Sequence, residues 1–342
     1  MDIKDFKNFD GHELVVLIND RASGLKAVIA IHSTKLGPAT GGTRYWHYGK
    51  FQDAIEDALR LSKSMTYKCA LAGVPFGGGK GVIMAIGKGK KPAVLKTYAE
   101  RLNLFKGNFT TGEDIGIEKK DLKILQKFSP FINGKKAGEL GPWAALGVFT
   151  AMTAACEIVY GEKKLKNKTV SIKGLGKVGL NLCKLVLNSG AKIIAADINP
   201  AQIKKTKKLF PQIKIVNYKC IHQLPTDIFS PCALNGDLNP HTIPQLKCKI
   251  VCGGANNQLA TSVCNTLLQK RNIIYVPDFV ANAGGLINIA GELNFKTYNR
   301  RWVEKKVAGI YRTTKKIISL SRQQHLPEEV VAKKIGNKIF SN

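Results

Sequence analysis

Short apolar runs alternate with amphipathic stretches along this chain, a pattern typical of an α/β protein. Two apolar runs between 14 and 31 flank the polar turn DRASG and predict a β-hairpin. Apolar residues at helical spacing over 51–64 predict the first helix. Further helices are expected over 92–104, after Pro142, from 281 and over 327–340, and strands within 213–216, 227–233, 249–259 and 272–280.

Residues 168–199 carry the strongest local pattern, in the order strand, tight turn, helix and strand. Gly174, Gly176 and Gly179 follow the strand TVSIK at G-x-G-x-x-G spacing, and Asp197 ends the second strand. This context is the fingerprint of a dinucleotide-binding turn, in which pyrophosphate rests on the helix N-terminus. Asp197 would accept a hydrogen bond from the ribose 2′-hydroxyl, which favours NAD over NADP.

The stretch 65–81, MTYKCALAGVPFGGGKG, places Lys68 and Lys80 on either side of an apolar run and a triple glycine. Its flanks predict a helix before it and a strand after it, so Lys80 is expected at the mouth of a buried strand. Burial and a second ammonium would lower the pKa of Lys80 and let it act as a base. The alternative is a glycine-rich turn with two solvated lysines.

Two other segments carry candidate chemistry. LGPATGGTRYW, residues 36–46, predicts a loop whose backbone can lie against a ligand. NFTTGEDIG, residues 108–116, resembles a strand that leads into Glu113 and Asp114. A carboxylate that meets the lysine pair is a candidate acid/base partner; the alternative is an ordinary turn carboxylate.

The length of 342 residues suggests two domains, and the Gly-, Pro- and Lys-rich run 129–142 is the expected boundary. We therefore predict one domain over 1–138, which carries the candidate catalytic residues, and an NAD-binding domain over 139–325, which carries the glycine fingerprint. A C-terminal helix over 326–342 could pack back on the first domain.

The net charge of +29 raises nucleic acid or an acidic membrane as a partner. The lysines are spread along the chain, however, and no stripe interleaves them with aromatic residues, which argues against nucleic acid. With no apolar run near 18 residues and no apolar segment at the start, we expect a cytoplasmic protein without a membrane span. The eight cysteines lack zinc spacing, so reduced thiols and no metal site are expected.

The ordered motifs resemble the leucine/phenylalanine/valine dehydrogenase branch of the amino-acid dehydrogenase superfamily, including its tryptophan dehydrogenases. The resemblance spans nearly the full length and rests on LGPATGGTR, DALRLSKSMTYK, GGGKGVI, GEDIG, the Gly174 fingerprint, DIFSPCALNG, GGANNQL and YVPDFVANAGGLIN. It implies an N-terminal α/β substrate domain, a C-terminal Rossmann domain and an active site in the cleft between them. The implied activity is reversible, NAD-dependent oxidative deamination of an apolar or aromatic L-amino acid by a homo-oligomer, a dimer or larger.

The resemblance also assigns roles. Lys68 would hold the substrate carboxylate, Lys80 would activate the water that attacks the imine, and Asp114 would exchange a proton with the amino nitrogen. Substrate contacts are further expected from Gly41, Gly42, Thr40, Met65, Asn257, Leu286 and Ile289, with Asn133 nearby. The expected cofactor site comprises Gly174, Gly176, Gly179, Lys177, Val178, Asp197, Ile198, Cys232, Ala233, Ala255, Asn257 and Asn282.

The chain departs from the family pattern at three positions. Relatives carry P-V-T or P-I-T where this chain has Pro142, Trp143 and Ala144. Loss of the threonine hydroxyl would weaken cofactor binding by about 1 kcal/mol, and Trp143 would narrow the cleft. Thr40 stands where relatives place Leu or Met, so the sequence does not decide which substrate side chain is preferred. An aromatic side chain is slightly favoured. A dehydrogenase-like protein with weak or lost turnover, acting as a sensor or ligand-binding protein, is the alternative function.

Overall fold

The computed structural model describes residues 2–85, 91–233 and 236–341 and divides into two compact units. Unit 1 comprises Met1–Gly138, Ile289–Tyr298 and Asn337–Asn342, and unit 2 comprises Glu139–Asn288 and Asn299–Gly336. The chain therefore passes between units at 138/139, 288/289, 298/299 and 336/337. The predicted domain limits do not include the return of Ile289–Tyr298 to unit 1.

Unit 1 contains a mixed five-stranded sheet in the order β1-β2-β4-β3-β5. The strands are β1 (Leu14–Asp20), β2 (Leu25–Ser33), β3 (Ala39–Trp46), β4 (Gly77–Met84) and β5 (Phe109–Gly112). The first two pair antiparallel from Leu14↔Ile31 to Asp20↔Leu25, which confirms the predicted hairpin. Strand β3 runs parallel to both β4 and β5. The prediction of a loop over 36–46 is therefore wrong from Ala39 onward.

Three helices cover this sheet: α1 (Phe51–Ala72), α2 (Lys91–Leu102) and α3 (Lys119–Phe128). The apolar residues of α1, including Ala58 and Leu59, pack with Val28 and Val82 in one buried cluster. A second cluster contains Tyr98 of α2 and residues of α3 and of the strands. The first helix continues past its predicted end to Gly73, whose φ of 63° caps it in the left-handed conformation, and so it carries Met65 and Lys68.

Unit 2 contains an all-parallel six-stranded sheet in the order β11-β10-β9-β6-β7-β8. The strands are β6 (Thr169–Lys173), β7 (Lys192–Ala196), β8 (Lys214–Ile215), β9 (Ile228–Pro231), β10 (Ile250–Val251) and β11 (Ile274–Tyr275). The chain order reverses between β6 and β9. The carboxyl ends of these two strands are thus the topological switch point at which such sheets bind ligands.

The remaining helices are α4 (Leu140–Tyr160), α5 (Lys177–Asn188), α6 (Pro200–Leu209), α7 (Val263–Lys270), α8 (Asp278–Ala281), α9 (Gly284–Leu293), α10 (Arg300–Gln324) and α11 (Glu328–Ser341). The helices expected after Pro142, from 281 and over 327–340 correspond to α4, α9 and α11. The 25-residue helix α10 was not among the predicted elements, nor were α3, α6, α7 and α8, the last of which begins inside the strand predicted over 272–280.

Helix α4 contradicts the expectation that no apolar run approaches 18 residues. It contains an 18-residue window of mean hydropathy 1.4, so its length and composition would suffice to cross a membrane. The buried core helix of a soluble protein passes the same test, and half of this window is buried. Its neighbours in unit 2 are α5, α8, α10 and β10. A helix that packs on several sides needs apolar residues around most of its circumference.

Candidate active site

Lys80 and Asp114 form a buried ion pair in unit 1. Lys80 Nζ lies 2.8 Å from Asp114 Oδ2, and the two side chains are 7% and 14% exposed. Lys80 is in the middle of β4 rather than at its mouth, because the glycines 77–79 form the start of the strand instead of a turn. Asp114 follows β5 by two residues. The structure thus joins the predicted lysine to the predicted carboxylate.

The glycines around this pair allow neighbouring backbones to approach closely. A Cβ on Gly78 would overlap the backbone nitrogen of Thr66 on α1, and a Cβ on Gly41 would overlap the carbonyl oxygen of Gly79. A Cβ on Gly42 would lie 2.5 Å from the carbonyl oxygen of Glu113. Side chains at these positions would separate α1, β3 and β4 and displace the segment that carries Asp114.

Arg44, which was not among the predicted site residues, also contacts Asp114. Its Nε donates to Asp114 Oδ2 over 3.2 Å, and its Nη1 donates to Asp57 Oδ2 over 2.8 Å. Asp57, on α1, also accepts from Tyr48 Oη over 2.7 Å and pairs with Arg60. Arg44 lies within the motif LGPATGGTR, which could have indicated it. No local signal marks Asp57.

Electrostatics keeps the Asp114 carboxylate charged. Burial by itself would raise the pKa of Asp114, but Lys80 and then Arg44 outweigh it and lower that pKa to about 2. Burial likewise opposes the charge on Arg44, but Asp114 and Asp57 raise the pKa of its guanidinium. The group is therefore an ionised carboxylate between two cations.

The other predicted substrate residues of unit 1 lie along β3 and its neighbours. Lys68 and Met65 are on α1, and Met65 Cγ lies 3.4 Å from the position of a Cβ on Gly41. Thr40 is buried, and its hydroxyl accepts a hydrogen bond from Thr110 over 3.1 Å. Asn133 donates its backbone N–H to Thr111 on β5. Ile289 is a buried residue of α9 in the segment that returns to unit 1, whereas Leu286 and Asn257 belong to unit 2.

The glycine turn of unit 2 has the geometry that the fingerprint predicts. Gly174 has φ of +103°, and a Cβ on it would lie 2.7 Å from the backbone nitrogen of Ala233 after β9. A Cβ on Gly179 would overlap the carbonyl oxygen of Gly174, so the third glycine sets how closely α5 approaches the turn. Gly176, which caps α5 just before Lys177, has nothing within 4 Å of such a Cβ. Among the described residues, the second glycine therefore borders open space, as pyrophosphate binding at the start of α5 requires.

Asp197 lies immediately after β7 and is bound to this turn. Its Oδ2 accepts the backbone N–H of Leu175 over 2.6 Å, and its Oδ1 accepts that of Asn199 over 2.7 Å. The adjoining Ile198 is 71% exposed. A carboxylate oxygen has two acceptor sites, so each oxygen can accept a further hydrogen bond from a ribose hydroxyl.

The segments after β9, β10 and α8 complete this end of the sheet. The Cys232 thiol accepts the N–H of Gly254 over 3.4 Å, and Ala255 donates its N–H to Pro231. A Cβ on Gly254 would lie 2.5 Å from Val178 of α5. Of the motif DIFSPCALNG, Leu234 and Asn235 lie outside the described residues.

Asn282 is the site residue with an unused buried acceptor. Its Nδ2 donates to Gly254 and to Asn256 Oδ1, over 3.2 and 2.8 Å, while its buried Oδ1 has no hydrogen-bond partner among the described residues. A buried amide oxygen without a partner costs free energy unless a ligand donates to it. A carboxamide N–H₂, such as that of nicotinamide, would satisfy it, and so the residues present fit a nicotinamide cofactor. Asn257, which follows Asn256 in the chain, has a φ of 51°.

The first turn of α4, where the chain departs from the family pattern, packs against α9. A Cβ on Gly284 would overlap the carbonyl oxygen of Trp143, and Ala144 lies beside Gly285. The Trp143 ring is 6.0 Å from the guanidinium carbon of Arg300 on α10. Within the described ranges, no three His, Cys, Asp or Glu side chains are placed to hold a metal ion, and all eight cysteines are free.

Comparison with known proteins gives consistent results. Residues 12–128 match the family model described as Glu/Leu/Phe/Val dehydrogenase, dimerisation domain, and residues 197–326 match that of Glutamate/Leucine/Phenylalanine/Valine dehydrogenase. The leucine dehydrogenase of Thermoactinomyces intermedius is 39% identical over 99% of this chain and 93% of its own. The phenylalanine dehydrogenase of Lysinibacillus sphaericus is 40% identical, with 92% and 84% covered.

Solved structures agree with this result. The crystal structure of L-tryptophan dehydrogenase from Nostoc punctiforme has a TM-score of 0.85 at 38% identity, covering 97% of this chain and 96% of that one. A hetero-hexameric glutamate dehydrogenase from Thermus thermophilus has a TM-score of 0.78 at 18% identity, covering 96% and 89%. At that identity, the second likeness concerns the fold alone.

Proposed function

Since this chain belongs to the Glu/Leu/Phe/Val dehydrogenase family, as its motifs predict, we propose that it catalyses the reversible, NAD-dependent oxidative deamination of an apolar or aromatic L-amino acid. The products are the 2-oxo acid and ammonia. We also propose that it works in the cytoplasm as a homo-oligomer, which the description of the first family model as a dimerisation domain supports.

The pair of Lys80 and Asp114 carries this proposal, because it places a base for the attacking water and a carboxylate for the amino nitrogen 2.8 Å apart. Oxidation of the amino acid makes positive charge develop on its nitrogen. The Asp114 carboxylate stabilises this charge and exchanges a proton with the nitrogen. Lys80 takes a proton from the water that attacks the resulting imine carbon. Lys68 holds the substrate carboxylate, and Gly41 and Gly42 offer backbone groups.

The chemistry that bound NAD would supply is acceptance of the hydride from the substrate Cα. The N–H groups at the start of α5, beside Gly176, would hold the pyrophosphate, and Asp197, which already accepts the N–H of Leu175, would also accept from the ribose 2′-hydroxyl. Asn282 would orient the carboxamide through its Oδ1, which has no partner in the part of the chain that the structure describes. A 2′-phosphate would bring negative charge against Asp197, and hence NAD is preferred to NADP.

The expected substrate preference follows from the side chains proposed around the substrate: Thr40, Met65, Leu286 and Ile289, with Asn133. Three of these are apolar, and the Thr40 hydroxyl already has a hydrogen-bond partner. Each buried substrate methylene contributes about 0.8 kcal/mol. A charged side chain would lose several kcal/mol by burying an unpaired group. Leucine, phenylalanine or tryptophan should therefore exceed glutamate by orders of magnitude.

The test is NADH formation with a panel of L-amino acids, measured by absorbance, with Lys80→Ala as the inactive reference. We expect turnover with apolar or aromatic substrates and little with glutamate. A best rate with glutamate would overturn the substrate assignment. If the purified protein binds an amino acid but forms no NADH with any member of the panel, the catalytic proposal fails and a ligand-binding role replaces it.

A further inference from the structure

Arg44 connects the proposed catalytic carboxylate to a second buried acid. Its Nε and Nη1 donate to Asp114 Oδ2 and Asp57 Oδ2, and all three side chains are at most 14% exposed. Water therefore screens these contacts only weakly. Because Lys80 Nζ contacts the same Oδ2, one oxygen of Asp114 lies between an ammonium and a guanidinium.

Asp57 cannot turn away from Arg44, because two further groups hold its carboxylate. Tyr48 Oη donates to Oδ2 over 2.7 Å, and Arg60 pairs with Oδ1. Burial and the Asp57 charge raise the pKa of Tyr48 well above its ordinary value, so its hydroxyl stays a donor. The planar guanidinium of Arg44 is thereby fixed on the Asp57 side, and it presents Nε to Asp114 in one orientation.

The two cations on Asp114 differ in one chemical property. A lysine that accepts a proton from water must be neutral at that moment, whereas an arginine keeps its charge throughout. In the part of the chain that the structure describes, Lys80 and Arg44 are the cations within ion-pair distance of Asp114. Arg44 is thus the positive charge that remains beside the carboxylate when Lys80 is neutral.

We propose that Arg44 is the positioning residue of Asp114, and that Asp57 anchors Arg44 for this task. The inference rests on the proposed function, because the orientation of Asp114 affects turnover only if Asp114 handles the substrate proton. Arg44 itself touches neither substrate nor cofactor in this proposal. It acts by fixing one oxygen of the carboxylate and by supplying a permanent counter-charge.

Arg44→Gln tests both effects. We expect kcat to fall about ten- to hundredfold, with the KM for the amino acid changed by less than about threefold, since substrate contacts remain. Loss of a positive charge raises the pKa of neighbouring groups, including that of Asp114. The acid side of the kcat/KM profile should therefore move to higher pH by about one unit. Arg101→Gln, which removes an exposed arginine 3.7 Å from Asp20, is the matched control and should change neither value.

Arg44→Lys separates the effect of Arg44 on the orientation of Asp114 from the effect of its charge. It also keeps the proposal testable if Arg44→Gln does not fold. An ammonium keeps the charge but lacks the fork that reaches two carboxylates, so kcat should fall while the acid side of the profile stays near that of wild type. A folded Arg44→Gln or Arg44→Lys protein with kcat within about threefold of wild type would overturn the proposal.

A measurement without turnover distinguishes this proposal from the proposed function. Carboxyl ¹³C NMR, with the Asp114 signal assigned from Asp114→Asn, reports the pH at which Asp114 begins to take up a proton. That pH should be higher in Arg44→Gln than in wild type, and an unchanged value would refute the role of Arg44. If wild type forms no NADH with any amino acid, the proposed function fails, and the NMR result still decides whether Arg44 controls Asp114.

Discussion

The backbone N–H of Leu175 donates to Oδ2 of Asp197 over 2.6 Å, and this hydrogen bond joins the glycine turn after β6 to the end of β7. Asp197 thus has a structural role besides the cofactor contact proposed for it. The same carboxylate closes the turn and presents its remaining acceptor sites beside Gly176. A substitution that removes the charge of Asp197 should therefore also affect the geometry of the glycine turn.

Asp197→Asn should weaken the choice of NAD over NADP. The amide lacks the negative charge that repels a 2′-phosphate, so the ratio of kcat/KM for NAD to that for NADP should fall at least about tenfold. Kinetics with both cofactors measure the ratio. Glu162→Gln, at an exposed position of the same unit, is the control for lost charge. An unchanged ratio in Asp197→Asn would mean that Asp197 does not face the ribose.

Two glycine variants should separate folding from cofactor binding. Gly179→Ala places a methyl group on the carbonyl oxygen of Gly174, so it should lower the melting temperature of the protein. Gly176→Ala meets nothing within 4 Å and should melt like wild type. Its methyl group would nevertheless occupy the space proposed for the pyrophosphate and should raise the Kd for NAD at least about tenfold. Calorimetry and NAD titration test the pair, and tight NAD binding by Gly176→Ala would contradict the assignment.

Removing either member of the buried pair should abolish turnover while leaving the fold intact. Lys80→Ala leaves Asp114 paired with Arg44, so the carboxylate is not stranded without a partner. Both Lys80→Ala and Asp114→Asn should reduce kcat at least about 100-fold. Circular dichroism would check folding, and Lys96→Ala, at an exposed lysine of α2, serves as the control. A rate like that of wild type in either variant would exclude that residue from the mechanism.

A pair of buried histidines should make unit 1 less stable in acid. The rings of His12 and His32 are 4.9 Å apart, with Asp10 and Lys63 close by. Burial, chiefly, lowers the pKa of His32 from 6.5 to about 4 and also lowers that of His12. Between these values the unfolded chain binds more protons than the folded one. Stability contributed by neutral His32 is therefore complete above about pH 6.5 and is lost as the pH falls toward 4.

The expected loss of unfolding free energy from His32 is about 3 kcal/mol, since its pKa falls from 6.5 to about 4. Urea unfolding at several pH values measures it, and His32→Asn should flatten the dependence between pH 6.5 and 4. Thr66→Val removes the hydrogen bond to His32 Nδ1 without removing the titrating ring, so it should shift stability at every pH and keep the slope. The same slope in His32→Asn as in wild type would exclude His32 as its source.

The sequence predicted best those features that are local. The turn around Gly174 needs only a strand, three glycines and a helix within a few residues, and it was found where expected. Strand β3 was missed because its Gly-rich sequence is typical of a loop; its glycines are needed because β4 and the segment of Glu113 pass so close. Helix α10 was missed because its many charged residues obscure the apolar periodicity. Its buried positions include Val303, Val307 and Ile310.

The contacts that join Arg44 to Asp114 and Asp57 could not be predicted from the sequence, because the partners lie far apart in the chain. Arg44 and Asp114 are 70 positions apart in the chain, and only the pairing of β3 with β5 brings them together. Lys80 and Asp114 were recognised by residue type, but nothing in the sequence showed that a third charged group shares the same oxygen. Such contacts arise from sheet order, which periodicity does not reveal.

The chain passes between the two units four times, so the ribosome completes unit 1 only near the end of synthesis. Unit 1 contains Glu292, whose carboxylate accepts the backbone N–H groups of Lys135, Lys136 and Ala137, and Phe340, whose ring lies 5.5 Å from that of Tyr67. At about 5–20 residues per second, the ribosome delivers Ile289 on the order of ten seconds after Gly138. While nearly all of unit 2 is made, the first 138 residues of unit 1 therefore lack the later segments that cover part of their surface. A chaperone that protects the growing chain would find its natural target in residues 1–138.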